Sequence, residues 1–422
     1  MIETKFKNSE VGMIPEDWDV CAIENLKAKA PNAFVDGPFG SNLKTEHFVK
    51  NGDVYVIESS SVTSGIFEER EYKTITNEHF ETIKRSECKE GDVIIAKIGM
   101  NCGMSAELPH LDKRSVVSGN SLKITLDQKK MLTSIFVLYM NSAKRQGKFE
   151  GLISVSAQPA LSLRILNAFL LPIPAPKEQS RIATTLSDVD DLIATTKKLI
   201  EKKRNIKEGA MQELLSGKRR LPGFSGEWVE ISFNDIYKYA SEGGTPDTSK
   251  AEYYNMGNLP FVKIEDTAKK YIDSVGSYIT QEGLSNSSAW LIPSNNIIFT
   301  NGATVGNVAI NRIPVTTKQG ILGVLLKDAY DLEFIYYILS FSPFQNEVHN
   351  RESGGTFATI ILKNLDTIPL FLPRCKEEQA AIAQVLSDMD SEIQSLEACL
   401  TKYQSLKQGM MQQLLTGKIR LI

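Results

Sequence analysis

The sequence predicts an α+β protein: two mixed α/β domains separated by two long helices, in a pseudo-two-fold internal repeat. Three observations predict it. The first is a repeat displaced by 200 residues. Glu178-Gln179, Ile182-Ala183, Leu186-Ser187-Asp188 and Asp190 recur in register as Glu378-Gln379, Ile382-Ala383, Leu386-Ser387-Asp388 and Asp390. Thirty residues on, Gly209, Met211-Gln212, Leu214-Leu215, Gly217-Lys218 and Arg220-Leu221 recur as Gly409, Met411-Gln412, Leu414-Leu415, Gly417-Lys418 and Arg420-Leu421. The second is the beat of apolar residues inside the repeat. The third is a fainter repeat of strand-and-glycine signatures in what lies before each helix.

The helices come first. Ile382, Leu386, Met389, Ile393, Leu396, Leu400 and Tyr403 alternate in steps of four and three, as in the seam of a coiled coil. Ile182, Leu186, Val189, Ile193 and Ile200 follow the same beat, with Thr196 as its weak point. No proline interrupts residues 177–217 or 376–417, and each segment ends at a glycine, Gly217 or Gly417, where a helix C-cap favours one. About 40 residues at 1.5 Å each make a rod of roughly 60 Å. The economical partner for each seam is the other copy, and on periodicity alone either relative direction is open.

The predicted domains are residues 1–175 and 222–373, with the helical segments at 176–221 and 374–422. Trp18 matches Trp228. The run from Gly91 to Gly99, followed by Gly103, matches the run from Ser294 to Gly302, followed by Gly306: β-branched residues enter a glycine pair, the pattern of a buried strand running into a tight turn. Because Gly417 to Leu421 matches Gly217 to Leu221, which leads into the second domain, the tail is expected near the start of the chain, as if a ring had been cut once.

With 422 residues, 42% of them hydrophobic and 23% charged, the composition is that of a globular protein with several cores. Cys21, Cys88, Cys102, Cys375 and Cys399 are odd in number and form no C-x-x-C, which argues for reduced thiols rather than disulfides or zinc. The polar first ten residues and the lack of a long apolar run point to the cytoplasm. A net charge of -3 advertises no global field for nucleic acid, so any basic binding face must be local.

Catalytic signatures are missing. Ser216-Gly217-Lys218-Arg219 lacks the first glycine and the hydroxyl of a phosphate loop, no G-x-G-x-x-G occurs, and the four histidines are scattered. Gly243-Gly244-Thr245-Pro246-Asp247 reads as a turn rather than part of a nuclease site. The cluster Lys197 to Lys207 is interleaved with Glu201 and reads as a solvated helix face. Lys144 to Lys148, cationic and broken by Gly147, suits phosphate contact followed by base reading, as it suits an ordinary surface loop.

These residues resemble the specificity subunit of type I restriction-modification systems. The resemblance spans the chain. It rests on Ile14-Pro15-Glu16-Asp17-Trp18, Gly37-Pro38-Phe39-Gly40-Ser41, Gly243-Gly244-Thr245-Pro246, the paired helix beginnings from Pro174 to Asp190 and from Pro373 to Asp390, and the paired L-L-[ST]-G-K-x-R-L endings. It implies two target-recognition domains, each reading half of a bipartite duplex sequence, with the two helices packed as an antiparallel coiled coil. It also implies a chain that is not itself an enzyme and holds no metal or cofactor. S-adenosylmethionine would sit on two copies of a methylation subunit, and ATP and Mg on restriction subunits.

For DNA contact the candidates are Ser41, Asn42, Lys44, Lys97, Arg145, Lys148 and Gln158 in the first domain. In the second they are Thr245, Lys263, Thr300, Asn301, Gln319 and Arg351. The competing expectation is a coiled-coil scaffold whose two domains bind protein or glycan.

Overall fold

Both repeated segments form single 39-residue helices, Pro176–Leu214 and Lys376–Leu414, in a computed structural model that describes residues 4–152, 160–353 and 358–422. The chain divides into two compact units, Met1–Thr195 with Leu400–Ile422, and Thr196–Cys399. The division cuts through both helices. Each unit therefore consists of one domain, the first half of the helix that follows it and the end of the other helix.

Unit 1 contains a four-stranded antiparallel sheet ordered Phe34–Asp36, Ser121–Ile124, Val93–Ala96, Ser105–Glu107. A second sheet runs Lys73–Ile75, Val54–Ile57, Arg114–Val117, Glu87–Cys88, with its two central strands parallel. Unit 2 repeats the plan. Tyr237–Glu242, Ile321–Leu326, Asn296–Thr300 and Val308–Asn311 correspond to the first sheet, with Tyr271–Ile272 added at its edge. In its second sheet Leu259–Val262 again runs parallel to its neighbour, Thr316–Thr317. In both units a two-stranded pair, Asp19–Ala22 with Leu170–Ile173 or Trp228–Ser232 with Pro369–Pro373, delivers the chain to its long helix.

The helices run antiparallel within each unit. In unit 1, Arg420 meets Glu178 and Lys407 meets Asp190, so the partner residue number falls as the first helix advances. In unit 2, Lys203 pairs with Glu392, Lys207 with Asp390 and Arg220 with Glu378. Asp190–Lys407 and Asp390–Lys207 are the same pair made once in each unit.

The expected seam residues divide into two sets. Ile182 and Leu186 are fully buried in the unit 1 core with Phe136, Leu171, Leu414 and Leu415. Ile382 and Leu386 are equally buried in the unit 2 core with Phe299, Phe334, Leu214 and Leu215. They belong to the globular cores as much as to a coil, because burying each large apolar side chain completely is worth about 1.5–3 kcal/mol and the domain floor offers that burial. Val189, Ile200 and Ile393 are buried further along, while Ile193, Met389, Leu396, Leu400 and Tyr403 are half-buried.

A buried ionic lock explains why so many repeated residues are polar. The Glu378 carboxylate is wholly buried. It accepts from Arg220 Nε at 2.6 Å and Nη2 at 2.7 Å, and from Trp228 Nε1 at 3.4 Å. Glu178 accepts in the same way from Arg420 Nε at 2.7 Å and Nη2 at 2.9 Å, and from Trp18 Nε1 at 2.8 Å. Arg420 also forks onto Asp17, and that side-chain hydrogen bonding holds the Asp17 carboxyl below its usual value. The tail of the chain is thus pinned to residue 17 inside unit 1, as the ring-like repeat predicts.

The neighbouring glutamines do a second job. Gln179 donates to the Pro174 carbonyl and accepts from Leu132 N–H, and Gln379 donates to the Pro373 carbonyl and accepts from Asp331 N–H. Each glutamine thereby satisfies backbone groups where the strand ends and a domain helix begins. Gly217 and Gly417 close the helices at φ +69° and +67°. A Cβ at Gly417 would lie 2.3 Å from Pro15 Cγ, so the turn needs glycine twice over.

Unit 2 carries a further polar tie with no counterpart among the described residues of unit 1. Lys270 Nζ donates to Tyr337 Oη at 2.8 Å, and Tyr337 donates to Asp390 at 2.6 Å beside Lys207. Lys270 also pairs with Glu333 and lies against the rings of Tyr271, Tyr336 and Tyr337. Burial, reinforced by the Asp390 hydrogen bond, raises the Tyr337 hydroxyl far above the usual tyrosine range, so it remains a donor.

Candidate nucleic-acid interface

In unit 1 five loops converge on one end of the sheets. The strands Phe34–Asp36 and Val93–Ala96 are both antiparallel to Ser121–Ile124 and so end on the same side, where residues 118–120 lead into that shared partner. Gly37 N–H bonds to Ser121 O and Lys97 N–H to Asn120 O. Val54–Ile57, parallel to Arg114–Val117, releases residues 58–67 at the same place, since Ser118 N–H bonds to Ile57 O. A Cβ on Gly65 would lie 3.3 Å from Arg145 Nη2, and Leu161 N–H bonds to Lys97 O, which brings in the end of Thr133–Arg145 and the described residues around Leu161.

Unit 2 builds the same end. Gly243 N–H bonds to Ile321 O, Asn301 N–H to Gly320 O, Lys318 N–H to Val262 O and Ile360 N–H to Asn301 O. Gly37 and Gly243 mark the crossing. A Cβ there would fall 1.8 Å from Ser118 O or 2.0 Å from Thr317 O, so backbone passes backbone with no room for a side chain.

Of the unit 1 candidates, Ser41, Asn42, Lys44, Arg145 and Lys148 are exposed on these loops. Lys44 sits 3.5 Å from Glu46, whereas Arg145 and Lys148 form no ion pair among the described residues. Lys97 stands at this end of the sheets but is already engaged: it pairs with Asp36 at 2.9 Å with its side chain mostly buried, so it holds two of the loops together. Gln158 lies outside the described residues.

In unit 2, Thr245 and Gln319 are exposed and Lys263 is half-buried. Three candidates need correction. Thr300 is completely buried and accepts from Asn307 N–H, and Asn301 is 7% exposed and donates to Ile360 O, so neither reaches a ligand. They stand at the end of a strand that is covered on both faces, so neither side of its alternation reaches solvent there. Arg351 donates to Thr367, to the Asn364 carbonyl and to Glu347, which commits its guanidinium to the fold.

Sequence reasoning missed the apolar tips of these loops. Phe39, Ile66 and Met100 are 66%, 66% and 87% exposed. The available signal was an apolar residue beside a glycine in each turn: Phe39-Gly40, Gly65-Ile66 and Gly99-Met100.

The class of protein so defined is a duplicated recognition subunit, with two loop-bearing domains carried on two repeated helices. The chain belongs to the type I restriction modification DNA specificity domain family, whose model matches it twice, over residues 39–202 and 225–408. It is 24% identical to the type I restriction enzyme MjaVIII specificity subunit of Methanocaldococcus jannaschii over a 449-residue alignment covering 99% of this chain and 96% of that one. The fold is similar to the type I restriction-modification S subunit from M. genitalium, with TM-score 0.55, 14% identity and coverage of 98% and 99% of the two chains. It is also similar to the HsdS subunit from Thermoanaerobacter tengcongensis, with TM-score 0.50, 16% identity and coverage of 96% and 98%. The chain is accordingly a non-catalytic, DNA-sequence-recognition component with two recognition domains.

No described helix is long and apolar enough to cross a membrane. The five cysteines are free thiols, and burial pushes the Cys88 thiol up to about 12.

Proposed function

We propose that each loop cluster reads one half of a bipartite duplex target while the paired helices offer two equivalent docking faces, each taking one copy of a methylation subunit. Restriction subunits complete the complex, and S-adenosylmethionine, ATP and Mg belong to those partners.

The observation that supports the two-copy reading is a set of repeated residues that stand exposed on both helices. Lys202, Ile206 and Gly209 stand at i, i+4 and i+7 on the first helix, all exposed, and Lys402, Leu406 and Gly409 repeat them on the second. Ile206 and Leu406 are 47% and 50% exposed. A mid-helix glycine costs roughly 0.5–1 kcal/mol relative to alanine, and a Cβ at either position would meet nothing within 4 Å. The chain's own packing therefore gives no reason for either glycine, whereas close approach by another chain gives one. A glycan- or protein-binding scaffold does not call for two matched faces of this kind.

Gly209→Trp is expected to fold, since the site is open. It should reduce the methylation subunit from two copies to one in the purified complex, and adding Gly409→Trp should remove the second. Two copies retained in the double variant, measured by native mass spectrometry, would refute this docking face.

For DNA, Arg145→Ala is expected to lower affinity for the cognate duplex by about 1–3 kcal/mol if the guanidinium reads a base. Titrations at several salt concentrations check it, and unchanged binding throughout removes Arg145 from the interface.

A further inference from the structure

In unit 1 the most exposed large apolar side chains among the described residues are Phe39, Ile66 and Met100, and all three stand on the convergent loops described above. We infer that they form an apolar reading surface that contacts thymine 5-methyl groups in the major groove of the half-site addressed by unit 1. This rests on the DNA-recognition role of the chain and adds the chemistry by which one domain reads.

The loops are built to hold these side chains outward. Asn42 N–H bonds back to Phe39 O and Cys102 N–H to Gly99 O, and Glu68 N–H bonds to Ser61 O across the loop that carries Ile66, so each apolar residue lies within a closed turn or loop. Gly65, Gly99 and Gly103 take φ of +87°, +90° and +93°, which only glycine adopts without strain. An apolar side chain held in water on a hydrogen-bonded turn gains nothing from folding, and three such side chains on loops that leave the same end of the sheets are placed to meet a partner there.

The charge around them specifies the partner. Arg145 lies beside the Ile66 loop, since its Nη2 would be 3.3 Å from a Cβ on Gly65, and Lys148 follows three residues on. Neither cation has an anionic partner among the described residues. Cations around an apolar centre suit a duplex, whose phosphates flank the groove floor. On that floor the thymine methyl is the apolar group that base edges present. Three side chains on three separate loops make a broad contact rather than a single wedge between base steps. Unit 2 presents smaller side chains at the matching strand ends, Thr245 and Ala303, so the two half-sites are read by different surfaces.

The test follows mapping of the methylated target. Each thymine of the two half-sites is replaced in turn by deoxyuridine, which removes only the methyl, and duplex affinity is measured for the full chain in complex with its methylation subunits. The wild type should lose several-fold at one or more positions of one half-site. Phe39→Ala or Met100→Ala should bind the thymine and uracil duplexes equally at such a position. Exposed positions leave the unfolding midpoint unchanged, which separates this loss from misfolding. Indifference of the wild type to every uracil, or full uracil sensitivity in both variants, overturns the proposal. So does a rise in 2-aminopurine fluorescence that depends on Phe39 or Met100, because it would mark base unstacking. A missing footprint on the all-thymine duplex would instead refute the recognition role itself.

Discussion

Glu378→Ala is expected to destabilise unit 2 by about 3–5 kcal/mol, because it leaves the Arg220 guanidinium and Trp228 indole N–H without their buried acceptor. The Glu378 side chain is 1% exposed and Arg220 27% exposed, so the pair is shielded from solvent on the carboxylate side. Three structural elements meet there: the start of the second helix, the strand holding Trp228 and the turn after the first helix. Urea unfolding followed by tryptophan fluorescence measures the loss. Glu378→Gln, which keeps the volume and one acceptor, should recover part of it. A loss below about 1 kcal/mol for the alanine variant would mean that the carboxylate is solvated in the folded state and that apolar packing alone joins these elements. Glu178→Ala should act similarly in unit 1, where Arg420 retains Asp17 as a second partner.

This lock shows which parts of the molecule were legible in the sequence and which were not. The Glu-Gln and Gly-Lys-x-Arg-Leu repeats were visible, the first inside the start of each helix and the second just beyond its end at Leu214 or Leu414. Their purpose was not, because Glu178 finds Trp18 160 residues away and Arg420 242 residues away, and no local pattern encodes such a meeting. Helix limits follow from local rules of proline, glycine and period, which need no distant partner. The DNA candidates fared unevenly for a related reason. Residue type could nominate Thr300, Asn301 and Arg351. Whether the side chain faces inward depends on the pleat of one strand and on where Asn307, Ile360 and Thr367 come to lie. Conversely, Phe39 and Met100 are core residue types whose one signal in the sequence is the neighbouring glycine, and the turn geometry decides that they face solvent.

Ile393→Pro is the change with the widest expected consequence. Ile393 is 8% exposed and lies in the interior of the second helix, where proline removes one main-chain hydrogen bond and clashes with the carbonyl four residues back, at a cost of about 3 kcal/mol or more. The break would fall beside Asp390 and Glu392, which pair with Lys207 and Lys203, so the antiparallel contact within unit 2 would lose its register along with the turn. Asp390 also receives the Tyr337 hydroxyl, so the domain would lose a tie to the helix at the same point. Since the exposed Lys202, Ile206 and Gly209 face is presented by the helix that this segment supports, docking should fail along with packing. The expected result is loss of the methylation subunit from the purified complex, with Ile393→Val retaining it. Co-purification of the proline variant at the wild-type ratio would show that the helix pair does not organise the assembly.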